Sequence, residues 1–173
     1  VLAVVVSCAR PTRLTQGTPR DQLYSSLIGH WQGVLEYKDY QDATRRVRLA
    51  TQLHIVPAPD EDGLELRYTY EDGPGKTVTS IDHLHVDRAM RNARLGSVTD
   101  KSLQRFSIIG RAGGVNGAPL RLVFEGDGLD DKQPAQLRET FEISAGAVRL
   151  LKETRVAGGP MAFRHVYALR RAE

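Results

Sequence analysis

The residues best placed to do chemistry are Tyr37, Tyr68, Tyr70, Arg105, Glu139, His165 and Tyr167, polar side chains set within otherwise apolar runs. A polar group turned into an apolar interior needs a partner, either another such group or a bound molecule. A few of them on an apolar wall orient a guest that has one polar end, and Glu139 and Arg105 are the candidate anchors. If His165 faces Glu139, the two also form a general acid/base pair with displaced pKa values. Nucleophilic catalysis finds little support, because there is no Gly-x-Ser-x-Gly elbow and the single cysteine, Cys8, precedes the patterned region. No metal is expected: His83-x-His85 puts two imidazoles on one strand face, but Asp82 points the other way and a third ligand is missing. His30 and His54 stand isolated. Asp130-Asp131 reads as a loop with too few carboxylates for calcium, and Gly113-Gly114 as hairpin geometry.

These side chains must be positioned by strands. From Gly29 onward the apolar period is two, with strands expected near 30–40, 44–56, 64–71, 76–86, 91–98, 102–109, 120–126, 136–143, 148–156 and 162–170. Turn residues separate them, among them Asp72-Gly73-Pro74-Gly75, Gly126-Asp127-Gly128 and Gly158-Gly159-Pro160. Connections this short leave no room for crossover helices, so neighbours in sequence pair as a meander. So large an open sheet would curl, and closure removes its edges. The expectation is an all-β fold, a single antiparallel meander β-barrel of about 8–10 strands, preceded by a short helix ending before Gly29. Alternation then gives the inner wall: Trp31, Gly33, Leu35 and Tyr37; Val47 to Ile55; Leu64 to Tyr70; Leu120, Leu122 and Phe124; Leu137, Glu139, Phe141 and Ile143; Phe163, His165, Tyr167 and Leu169. Phe124 and Phe141 join the tyrosines as lining.

With 173 residues and 40% hydrophobic content, the chain suits one domain, placed at 21–173. Residues 9–20, rich in Pro, Thr, Arg and Gln, read as a linker. The net charge of +3 comes from Lys and Arg interleaved with Asp and Glu. The denser clusters, Arg45-Arg46-x-Arg48 and Arg170-Arg171, lack interleaved aromatics, which argues against a nucleic-acid partner.

The first eight residues, Val1-Leu2-Ala3-Val4-Val5-Val6-Ser7-Cys8, look like the end of an apolar export segment. Val5-Val6-Ser7-Cys8 resembles a bacterial lipobox, which implies lipidation of Cys8 and a membrane anchor. Ala9 after the cysteine implies outer-membrane retention if the organism has two membranes. The same stretch also reads as a small-x-small signal-peptidase site, giving a secreted protein, or as an uncleaved apolar N-terminus.

The run Gly29-His30-Trp31-Gln32-Gly33, after a short helix and before a meander, is similar to the opening of lipocalin and fatty-acid-binding barrels of the calycin group. The resemblance implies that Gly29, Trp31 and Gly33 form a barrel floor, with an Arg from a late strand over the Trp; Arg164, Arg170 and Arg171 are candidates. It implies an exported barrel that binds a small apolar or amphipathic molecule and needs no cofactor. Two alternatives are a barrel enzyme, isomerase or hydrolase, using His165 with Glu139, and a structural or interaction lipoprotein with a filled interior. Nitrobindin-like haem barrels share a Gly-x-Trp-x-Gly opening, and only His165 could then serve as the haem ligand.

Overall fold

A computed structural model describes residues 18–39, 41–42, 44–59, 62–97, 102–114 and 118–172. Cys8, the export segment and linker residues 9–17 lie outside the described residues. A helix, α1 (Pro19–Leu27), precedes ten strands: β1 (Gly29–Lys38), β2 (Arg46–Pro57), β3 (Leu64–Glu71), β4 (Thr77–Val86), β5 (Asn92–Ser97), β6 (Gln104–Ala112), β7 (Leu120–Asp130), β8 (Gln133–Ile143), β9 (Ala147–Val156) and β10 (Ala162–Arg171). Each strand pairs antiparallel with the next, and β10 returns to β1, closing the barrel as the alternating pattern predicts.

The helix begins at Pro19, two residues earlier than the domain start read from sequence. Its capping box sets that boundary. The Asp21 N–H donates to Thr18 Oγ1 and the Thr18 N–H to Asp21 Oδ2, with Pro19 occupying the first turn, where no N–H is missed. The hairpin between β7 and β8 also differs from the reading. It turns at Asp131-Lys132, whose φ values of 47° and 65° are those of a two-residue primed turn, and not at Gly126-Asp127-Gly128. Gly126 lies within β7, where a Cβ would come 2.3 Å from the Arg105 carbonyl oxygen. Close backbone approach, not a turn, accounts for that glycine.

α1 closes one end of the barrel. Leu23 and Leu27 are fully buried, and the Tyr24 hydroxyl accepts the Val86 N–H at 2.8 Å. Beneath them Trp31 donates its indole N–H to the Leu27 carbonyl at 2.8 Å. Of the three candidate arginines, Arg171 covers this Trp. Its guanidinium lies 4.2 Å from the ring centroid and donates to the Ser26 and Ile28 carbonyls at 3.0 and 3.1 Å. One side chain thus ties the last strand to the C-terminal carbonyls of the helix, which have no intrahelical partner.

Gly33 sits at the seam, opposite Leu169 of β10 and Thr51 of β2. A methyl there would lie 2.1 Å from the Ala168 carbonyl oxygen and 3.0 Å from the Leu169 Cα. Both obstacles are backbone, so the strands themselves would have to part. Gly33→Ala is therefore expected to destabilise the barrel by about 2 kcal/mol or more, measured by urea unfolding; a change within error would show that the seam yields freely.

Candidate functional site

Inward positions of five strands converge in the half of the barrel away from α1: Tyr68 and Tyr70 on β3, Ser80 and Asp82 on β4, Glu139 and Phe141 on β8, Leu150 and Lys152 on β9, and His165 and Tyr167 on β10. They enclose open space. An inner cavity of about 300 Å³ has aromatic walls from Tyr68, Phe106, Phe141 and Tyr167 and a polar side formed by Asp82, Glu139, Lys152 and His165. A second space of about 330 Å³, nearer the open end, is bounded by Leu35, Tyr37, Leu49, Tyr70, Val78 and His165. Tyrosines separate the two. The Tyr70 and Tyr167 hydroxyls are 2.9 Å apart, Ser80 Oγ is 3.2 Å from Tyr70, and the Tyr68 ring lies 4.9 Å from that of Tyr167.

Lys152 Nζ is 3.5 Å from Glu139 Oε1, the one ion pair facing the inner cavity among the described residues that the strand register also makes direct neighbours. Burial pushes the Glu139 carboxyl up to about 7; Lys152 opposes the shift and the charge of Asp82 adds to it. His165 is pushed down to about 3, first by burial and then by the positive charges of Lys152 and Arg164, so its imidazole is neutral at physiological pH. Burial likewise raises Tyr68 and Tyr167, keeping their hydroxyls protonated. The wall therefore offers neutral hydroxyl and imidazole groups beside a Lys–Glu pair.

The structure places the residues singled out from sequence in three groups. Tyr68, Glu139, Phe141, His165 and Tyr167 line the inner cavity, while Tyr37, Tyr70 and His165 bound the outer space. Phe124 is buried edge-on against Phe141, centroids 4.9 Å apart, as packing below the cavity. Arg105 is a correction. It is exposed on the outer face, because Phe106 takes the inward position and adjacent strand residues face opposite ways. Phe163 is a second correction: a bulge in β10 between Phe163 and His165 breaks the alternation. Arg164 is thereby turned inward, where it pairs with Asp130 at 3.0 Å, and the Phe163 ring instead lies 3.7 Å under the Arg46 guanidinium. Asp130 is thus more than a loop residue, since it also accepts from the Thr154 hydroxyl at 2.7 Å.

Two cavity residues, Asp82 and Lys152, were legible but overlooked. Each continues an alternating apolar series, Leu84 with Val86 and Val148 with Leu150. The histidines expected to stand apart do not: His30 and His54, opposite one another in β1 and β2, stack with centroids 3.9 Å apart. His83 lies on the outer face, 3.7 Å from Glu65. Among the described residues no group of three His, Cys, Asp or Glu is arranged to hold a metal. His165 borders both spaces, with Lys152 and Arg164 among the charges that act on it.

The fold and site define a closed ten-stranded antiparallel barrel with a hollow, partly polar interior. No protein-family model and no curated protein matches the sequence. Among solved structures, the barrel is similar to the crystal structure of Rv2717c from M. tuberculosis, with a TM-score of 0.63 and 17% identity over 90% of this chain and 99% of that one. At that identity the likeness establishes the fold alone.

The two displaced groups give opposite pH signatures. His165, moved from 6.5 to about 3, adds stability that is complete above pH 6.5 and is lost as pH falls toward 3. Glu139, moved from 4.5 to about 7, adds stability that is complete below pH 4.5 and is lost as pH rises through 7. In urea unfolding across pH 3–8, His165→Gln should flatten the acid side and Glu139→Gln the neutral side, each by about 1–3 kcal/mol. Parallel wild-type and variant curves would show that neither group is perturbed.

Proposed function

We propose that this protein is a lipocalin-like binding module that takes a small amphipathic molecule into its barrel, polar end toward Glu139, Lys152 and His165 and apolar body along Tyr68, Phe141 and Tyr167. The observation that carries the reading is the roughly 300 Å³ inner cavity walled by buried ionisable groups. Setting a Lys–Glu pair into a protein interior costs desolvation, and a cavity left beside it forfeits packing. Both costs make sense where a guest supplies the missing contacts. Binding is favoured over acid/base catalysis because Glu139 has its ion pair with Lys152, a residue outside the proposed His165–Glu139 couple. A filled interior is disfavoured by the two spaces.

The lipobox-like Val5-Val6-Ser7-Cys8 supports an exported, lipid-anchored form of the same module. Radiolabelled palmitate should enter the full-length precursor expressed in a bacterial host and be lost in Cys8→Ser; equal labelling of both would overturn the anchor.

The interior is tested with N-phenyl-1-naphthylamine, an apolar fluorophore. It should bind with enhanced emission, and His165→Trp, which fills the junction of the two spaces, should weaken it at least about tenfold while circular dichroism stays that of the barrel. Unchanged affinity in the folded variant would place the fluorophore elsewhere and overturn the interior reading.

A further inference from the structure

Beside the inner cavity lies the outer space, and its lining differs in kind. We propose that the outer space is a separate binding site for an uncharged aromatic molecule, held by Leu35, Leu49 and Val78 and by the rings of Tyr37 and Tyr70. The proposal rests on the reading that the barrel interior takes up small molecules.

The strand register builds this wall. Leu35 stands opposite Leu49 across β1 and β2, and Tyr70 opposite Val78 across β3 and β4. Together with Tyr37 they line the space of about 330 Å³, and of all its lining residues only His165 also lines the inner cavity. The partition is held by the Tyr70 hydroxyl, 2.9 Å from that of Tyr167 and 3.2 Å from Ser80 Oγ. The rims are separate as well: the outer space reaches Asp72 and Val78 beside the β3–β4 turn, and the inner cavity reaches Ser97 and Leu129 at the ends of β5 and β7. Val78 shares the inward face of β4 with Ser80 and Asp82, yet it stays 40% exposed. An apolar side chain on an inner face that remains in water is covered once the space is filled, and that burial favours an apolar guest.

The charged groups bordering the outer space already have partners. Arg164 pairs with Asp130 at 3.0 Å and donates to the Lys38 carbonyl at 3.0 Å, and Asp72 pairs with Lys76. Burial keeps the His165 imidazole neutral and the Tyr70 hydroxyl protonated. A charged guest would give up its water here without gaining an ionic partner, whereas an uncharged ring system gives up little and gains contact with two aromatic rings and three aliphatic side chains. The inner cavity, bordered by Asp82, Glu139 and Lys152, suits polar groups instead.

The test compares N-phenyl-1-naphthylamine with 1-anilinonaphthalene-8-sulfonate, the same ring skeleton carrying a sulfonate, by fluorescence titration of the full chain. The uncharged dye should bind at least about tenfold more tightly than the sulfonate. Leu49→Trp and Val78→Trp, which fill the outer space alone, should each weaken the uncharged dye at least about tenfold, and Leu95→Trp, which narrows the inner cavity alone, should leave it within about threefold. Circular dichroism checks each variant, and two positions in the outer wall keep the comparison decisive if one of them does not fold. Equal or tighter binding of the sulfonate would show that Arg164 is open to an anion and would overturn the uncharged class. Weakening by Leu95→Trp in place of the outer variants would put the dye in the inner cavity, and weakening by all three would mark one continuous site; either overturns the separate site while the interior reading stands. If the uncharged dye does not bind, or binds and none of the three variants moves it, the interior reading fails and the outer site falls with it.

Discussion

Seven consecutive residue pairs, from Trp31 opposite Arg171 to Tyr37 opposite His165, join the first strand to the last. Without them the ten strands would form an open sheet with two bare edges and no enclosed space. Closure turns one face of every strand into an interior, and it makes the hydrophobic pattern bind in both directions: a residue on that face is buried by its neighbours across the barrel as well as beside it. The same seam demands Gly33, where the Ala168 carbonyl crosses too close for any side chain, and brings Arg171 over Trp31. Floor, wall and cavity are consequences of one pairing.

The two ends of the interior obey different physics. Toward α1, Leu23, Leu27, Trp31, Leu122 and Phe124 are almost wholly removed from water, the indole N–H has the Leu27 carbonyl and the Tyr24 hydroxyl has the Val86 amide. That half is core, packed to hold the barrel shut. Toward the open end the inner wall mixes tyrosines with Asp82, Glu139, Lys152 and His165 around unfilled space. Close packing is concentrated at one end, and buried ionisable groups at the other.

Burial is the largest influence on the protonation of that polar end. Glu139 is driven toward its neutral form despite Lys152 nearby, and His165 is kept neutral by the loss of water and by two cations. With the imidazole uncharged and the hydroxyls protonated, this wall presents hydrogen-bonding groups more than net charge.

Strand periodicity and turn composition sufficed to read ten antiparallel strands in meander order and the inward set that includes Trp31, Tyr68, Glu139, Phe141 and Tyr167, because a period of two is a local property of the chain. Where the reading failed, a neighbouring strand had intervened. The bulge that turns Arg164 inward toward Asp130 and Phe163 outward to Arg46 depends on how β10 pairs with β9. Gly126 looked like a turn residue because close backbone approach by β6 leaves no trace in its own neighbourhood. His30 and His54 are 24 positions apart in sequence and face to face only through the β1–β2 register. The sequence by itself determined the architecture and which residues could face inward, since both follow from alternation. The choice of Lys152 as the partner of Glu139 and the division of the interior by Tyr70 and Tyr167 were decided by tertiary structure alone, because each depends on distances between strands that alternation does not encode.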